Sequence, residues 1–460
     1  MFFYSFPIFS QDSLWVVVDK IVLSGNVKTK PEIILREVSL ATGDSLPAED
    51  LQRFIANTEF RIFNTGLFVT VQCRLDTTIR DRSTLMISLK ERWYTYIIPL
   101  IDLADRNFNE WWQQRGRDPG RINYGFYFVQ KNTRGRNETL KLKLQGGFTG
   151  KAELSYFIPY IHKKRKSGLN IGLSYIYSRA LAYTLEDHRL IYHEGGHAQI
   201  YRYAANTEYI YRDRFYSWHK IKGSFHHQQV SDSIARLNPD YFLYGKKART
   251  YGILSYTFLM DRRDVQYYAL RGYFLSLEVE KKGLFHARGV NVLSFNPDLG
   301  FYSPLYRERL FYAGGLSAKI SFPGKQAFYD LRGLGYENNF VRGYELYVIN
   351  GQHSALWRNS VKLKLFNQTR RTHGLNIAQF STLPITLFLT GNIDLGYVYA
   401  PVRLPGNDRL SDQLLMGAGL GLDLVTFYDI VIRTEYSVNR MGQGGLYFHF
   451  MSAIGGQKIL

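Results

Sequence analysis

The sequence predicts a mostly β protein: one small α+β domain of order βααββ, followed by a 16-stranded transmembrane antiparallel β-barrel. Aromatic residues make up 16% of the 460 positions, with 35 Tyr and 31 Phe, and Tyr and Trp gather where one end of a ring is apolar and the other wet. Mean hydropathy is only −0.24, and no run reaches the roughly 18 apolar residues a membrane helix needs. From Asn123 onward, segments of alternating residues separated by turns recur to the C-terminus. Transmembrane strands alternate lipid-facing and lumen-facing side chains and so average to near-neutral hydropathy.

Met1–Ser10, MFFYSFPIFS, is short and apolar and lacks a basic leader; it is expected to be the remnant of an export signal or a disordered end. Residues 14–92 form the α+β domain. Trp15–Leu23 is β-branched and ends at the turn signal Ser24-Gly25-Asn26. Pro31 opens a helix whose stripe is Ile33, Ile34 and Val38, at a position that tolerates its missing N–H. A second helix follows Pro47 and Glu49, with Leu51, Phe54, Ile55 and Phe60 on its apolar face. Strands at Phe68–Leu75 and Leu85–Glu91 close the unit.

Residues 93–122 are expected to be a linker and 123–456 the barrel. Its strands run from Tyr124–Val129 through Thr139–Gly146, Ala152–Tyr160, Asn170–Tyr177, Ala198–Tyr211, Trp218–Val230, Thr250–Met260, Tyr273–Glu280 and Val290–Tyr302. The series continues with Leu310–Phe322, a strand before the 341–344 stretch and five strands after it, ending at Leu446–Met451. An even number near 16 suits a closed barrel, and closure leaves no backbone edge unpaired in lipid.

The stretch Asn338–Asn350 holds Val341-Arg342-Gly343-Tyr344, followed by Glu345. Some fifty residues on, Asp394 alternates with glycine in Gly391-Asn392-Ile393-Asp394-Leu395-Gly396, inside an apolar strand. An ionised carboxylate on the inward face of such a strand is costly unless a cation meets it, and Arg342 is the candidate partner. Further turns stand out at Asp261-Arg262-Arg263-Asp264 with Arg271-Gly272-Tyr273, at Tyr124-Gly125 with Gly135-Arg136, and in the glycine run from Met416 to Asp423.

These stretches resemble the BamA/TamA superfamily, the bacterial surface antigen family of outer-membrane assembly and translocation barrels. Residues 14–92, with GNVKT, FNTGLF and LKER, resemble its polypeptide-transport-associated (POTRA) domain. The resemblance implies that a loop at 334–355 folds into the barrel carrying the motif Val341, Arg342, Gly343 and Tyr344, and that Arg342 docks on Asp394, with Gly396 beside it, in the wall. It marks Asp261, Arg263, Asp264 and Gly272 as a hairpin motif. The chain departs from the family at Asn392, where Phe or Gly is usual, at Ala269 or Leu270 in place of a proline, and beyond Phe450, where it continues to Leu460 rather than ending on an aromatic residue.

The net charge of +19 is scattered between strands and forms no recognition helix or zinc finger, so no nucleic-acid partner is expected. The dense run Lys163-Lys164-Arg165-Lys166 is either a solvated loop tip or a contact for lipopolysaccharide phosphates. Cys73, the only cysteine, precludes an intramolecular disulfide and is expected to be a buried bystander. His193-Glu194-Gly195-Gly196-His197 has the HExxH spacing, but that motif binds zinc only on a helix; glycines and strands surround it here, and a periplasmic turn is expected. No catalytic motif is present, so neither an enzyme, a cofactor nor a metal site is expected.

The resemblance implies an outer-membrane location with the POTRA domain in the periplasm. If the first and last barrel strands meet in a short seam, interrupted by Gly442, Gly444 and Gly445 before the last strand and Gly455-Gly456 after it, glycine weakens the pairing and the seam can open to template client strands; an outer-membrane assembly factor is the leading expectation. Expected partners are unfolded outer-membrane or secreted polypeptides, periplasmic or outer-membrane accessory proteins, and outer-membrane lipids including lipopolysaccharide. A secretion pore of the two-partner type and a scaffold subunit of a larger complex remain the alternatives.

Overall fold

The computed structural model describes residues 15–79, 82–103, 111–112, 116–162, 166–284, 290–336, 339–371, 382–402, 406–426 and 430–452. The expected signal remnant, most of the basic run at 163–166 and Gly455-Gly456 lie outside these residues. The chain divides into two compact units near Trp93.

In the N-terminal unit, β1 (Trp15–Ser24) is followed by α1 (Pro31–Leu35), β2 (Ser45–Pro47), α2 (Leu51–Phe63), β3 (Phe68–Ile79) and β4 (Arg82–Glu91). The sheet order is β2-β1-β4-β3, with β1 and β4 parallel. Pro31 stands at the first helical turn as expected. Val18, Ile34, Ile62, Phe68, Leu85 and Ile87 form the core. Phe60, expected on the apolar face of α2, is exposed, and Ile62 takes the buried place. Cys73 is buried, and burial pushes its thiol up to about 12, which leaves it unreactive.

The second unit is a barrel of 16 antiparallel strands. They begin with β5 (Thr95–Leu103), β6 (Ile122–Thr133), β7 (Glu138–Gly147), β8 (Thr149–Ile158) and β9 (Ser167–Ser178). A separate hairpin, β10 (Ala180–Glu186) and β11 (Arg189–Glu194), precedes β12 (Ile200–Arg214) and β13 (Ser217–Val230). Helix α3 (Asp232–Leu237) leads to β14 (Ala248–Asp261), β15 (Gly272–Leu284), β16 (Val292–Tyr306) and β17 (Leu310–Phe322). After a two-stranded ribbon of β18 (Arg332–Leu334) and β19 (Ile349–Asn350) come β20 (His353–Arg371), β21 (Thr382–Tyr399), β22 (Leu415–Thr426), β23 (Ile430–Asn439) and β24 (Gly444–Ser452).

The boundary at 123 is corrected: the first barrel strand is β5, inside the expected linker, and it pairs with β6 over its full length. Pro99 in its middle reads as a strand breaker. It is tolerated because β5 stands at one end of the sheet order, and a proline without an N–H is compatible with an edge strand. Between Phe322 and His353 the described strands are only β18 and β19, which pair with each other rather than join the barrel.

Successive antiparallel connections alternate between the two mouths. One mouth carries the β10–β11 hairpin, the α3 segment, the loop 323–352 and the segment 400–414. Side chains from three of these, Leu181, Ile234, Tyr241, Phe242, Phe328 and Val348 among them, form one apolar cluster across that mouth. The His193–His197 stretch lies here too, not in a turn at the opposite mouth. His193 and Glu194 belong to β11, and Glu194 pairs with Arg121.

Candidate functional site: an inward loop on the barrel wall

The loop 323–352 runs down onto strands β20 to β23. Its descent depends on glycines that a sequence pattern alone barely marks. Gly343 has φ +81, and a Cβ there would stand 2.7 Å from the Asn439 nitrogen; only glycine adopts this conformation without strain. Opposite it, a Cβ on Gly417 of β22 would lie 1.7 Å from the Arg342 carbonyl oxygen, so the wall itself must lack a side chain there. Gly396 gives similar room to Val341. Val341 and Tyr344 are buried in a cluster with Leu334, Tyr347, Leu356, Val398 and Leu415, which drives the docking by removing apolar area from water.

The loop places Arg342 between two carboxylates. Its Nη1 is 3.4 Å from Asp394 Oδ1 and its Nε 3.5 Å from Glu435 Oε1, with both acids essentially unexposed. The Arg342 backbone N–H also donates to Asp394 Oδ2 at 3.3 Å. Ser360 Oγ accepts from the guanidinium and donates to Asn392 Oδ1 at 2.6 Å. Asn392 in turn donates to Glu435 Oε2 at 3.0 Å. The departure at Asn392 thus has a role here, because an amide can accept from Ser360 and donate to Glu435 together. The distances fit one guanidinium shared between two acids better than a tight bidentate pair. Glu345 is buried nearby, with Ser437 Oγ donating to it at 3.4 Å.

A second inward element docks on the same strands. In the 262–271 turn, Asp261 and Arg263 form a buried ion pair at 2.7 Å, Asp264 Oδ1 accepts from the Val265 and Leu270 N–H groups, and Gly272 has φ +96. These four residues therefore shape one turn, and the turn projects Tyr268. Its hydroxyl donates to Asp423 Oδ2 at 2.8 Å, while Arg433 donates twice to the same carboxylate at 2.7 Å. Lys362 Nζ lies 3.9 Å from the centre of the Tyr268 ring, and Phe311, Phe388 and Val431 pack round it. Along β21, Asp394 and Phe388, the partner of Asp423, are separated by about 20 Å at the usual strand rise.

Sequence reasoning missed Glu435, Ser360, Tyr268 and Arg433. A signal existed in β23, where Arg433, Glu435, Ser437 and Asn439 alternate with Ile432, Thr434, Tyr436 and Val438. At the capped mouth a further residue escaped notice. His188 Nε2 accepts from the Leu410 N–H at 2.9 Å, its backbone N–H donates to Asn407 Oδ1 at 2.7 Å, and its carbonyl accepts from the Val348 N–H at 2.8 Å. It thereby ties three loops together, and burial pushes its imidazole down to about 4. Among the described residues, no group of three or more His, Cys, Asp or Glu side chains is placed to hold a metal ion.

Residues 16–92 match the model of the POTRA family, described as a surface antigen variable number repeat. No curated protein matches the chain. Among solved structures, the chain is similar to BamA from Haemophilus ducreyi lacking POTRA domains 1–3, with 15% identity, 95% of this chain and 84% of that one covered, and a TM-score of 0.52. It is also similar to CdiB from Escherichia coli (11% identity, 97% and 92% covered, TM-score 0.51). CdiB from Acinetobacter baumannii matches at 12% identity, 95% and 73% covered, with a TM-score of 0.50. At these identities the likeness is one of fold.

Proposed function

We propose, on the premise that this chain has the fold of the BamA/TamA-type barrels and carries a POTRA domain, that it is an outer-membrane factor assembling other polypeptides into the membrane. Client β-strands are templated at the seam between β5 and β24, and the POTRA domain receives clients or partners by strand addition to its sheet. The observation that carries this reading is the strand order: the sheet ends at β24 and β5, and among the described residues no ladder joins them. An unpaired strand edge is a template for another strand, and in lipid the drive to satisfy its backbone groups is stronger still.

Two features support this reading over a secretion pore. The loop 323–352 and Tyr268 both enter the lumen, and one mouth is bridged by an apolar cluster. A pore would require those elements to leave.

The test is a set of cysteine pairs along β5 and β24, beginning with Ile97→Cys and Phe448→Cys in a Cys73→Ser background. Assembly of the outer-membrane proteins of the host is read by quantitative mass spectrometry. Loss of assembly on oxidation, restored by reduction and absent for pairs within β20–β21, is expected. A locked barrel that still assembles clients overturns the reading and leaves lumen transport or a scaffold role.

A further inference from the structure

Phe340, the residue before Val341, is held from two sides. Its carbonyl oxygen accepts from Arg358 Nη2 at 2.9 Å, and the same guanidinium lies 5.4 Å from its ring centre. On the other side the ring of His449 stacks on it, 5.6 Å between centres and 20° between planes. Arg358 belongs to β20 and His449 to β24, which the sheet order separates by three intervening strands. Loop 323–352 reaches β24 elsewhere as well. Tyr347 donates to Gln443, in the turn that opens into β24, at 2.8 Å.

We propose that Phe340 is a strut that holds the last barrel strand in place, with the bond from Tyr347 to Gln443 as its second fastening. β24 has one ladder partner among the described residues, β23. The lumen-side grip of the loop is therefore a large part of what positions it. The inference rests on the seam reading above: Phe340 is a positioning residue for the strand on which a client would pair, and loop release would free that strand.

The experiment is amide hydrogen exchange on the full chain in nanodiscs, followed by mass spectrometry, comparing peptides from β24 with peptides from β20 to β23. Phe340→Ala is expected to speed exchange in β24 by about two- to tenfold, the worth of one aromatic pair, with β20 to β22 unchanged. Phe340→Tyr, which keeps the stack, restores the wild-type rate. Should Phe340→Ala fail to give a folded, heat-modifiable barrel, Phe340→Leu and His449→Leu, singly and together, carry the same test. The double variant is then expected to be no faster than the worse single one. Unchanged β24 exchange, or equal acceleration across β20 to β24, overturns the strut. Faster β24 exchange in a protein whose locked seam still assembles clients keeps the strut and removes the seam reading.

Discussion

Arg342 faces Asp394 and Glu435 together, so its loss strands two buried carboxylates rather than one. Breaking a buried pair from one side costs about 3–5 kcal/mol. Arg342→Ala is expected to lower the stability of the docked loop by that amount, read as a lower melting temperature and as protease cleavage within 323–352. Arg342→Lys should recover little, because a compact ammonium cannot present separate N–H groups to two acids. The other single-residue prediction concerns pH. The imidazole of His188 is depressed to about 4 by burial, against an ordinary value of about 6.5 when exposed. The released state therefore binds the extra proton, and the stability His188 contributes is complete above about pH 6.5 and lost as pH falls toward 4. Hydrogen exchange of the 400–414 and 323–352 loops should rise over that window, and a His188→Gln variant should flatten the profile. At this scale the Arg342–Asp394 pair was legible, because an aspartate in an apolar strand demands a cation. Glu435 was not: alternation says which side of β23 faces the lumen but not what stands opposite. Phe340 was hidden among 31 phenylalanines.

At the scale of elements, the 262–271 turn and loop 323–352 reach the same wall from different connections. The turn is fixed by Asp261, Arg263 and Asp264, and it is anchored through Tyr268. Tyr268→Phe removes one donor from Asp423, which keeps Arg433, so a loss of about 1–3 kcal/mol is expected. Tyr268→Ala also empties the space among Phe311, Phe388 and Val431 and should cost about 3–5 kcal/mol. The shift in urea midpoint at constant slope measures both. Gly417→Ala would push against the Arg342 carbonyl and is expected to expel the loop while leaving the strands paired, seen as labelling of a cysteine placed at Tyr344. The hairpins were legible from alternation and turn residues. β5 was not, because Pro99 and the shift in composition after Trp93 mimic a linker. Nor was β2, since three residues carry no period.

For the molecule as a whole, the even strand count of 16 lets β5 and β24 run antiparallel to each other, as is usual in single-chain barrels of this kind. The lumen holds two inward elements and one mouth is bridged by apolar side chains, so the full chain in a planar bilayer is expected to conduct weakly. Deleting 324–351 should raise conductance several-fold, and an unchanged conductance would show that other elements close the lumen. The aromatic excess and near-neutral hydropathy made the architecture readable. The cap at the mouth was not readable, because its cluster draws on segments as distant as Leu181 and Val348. Pro99 carries one more implication. A strand whose middle residue has no amide hydrogen presents a broken row of donors, whereas β24, free of proline, presents a continuous one. On the seam reading proposed above, the two lips would be unequal in grip: a newcomer would find more donors along β24 than along β5, giving any opening a direction.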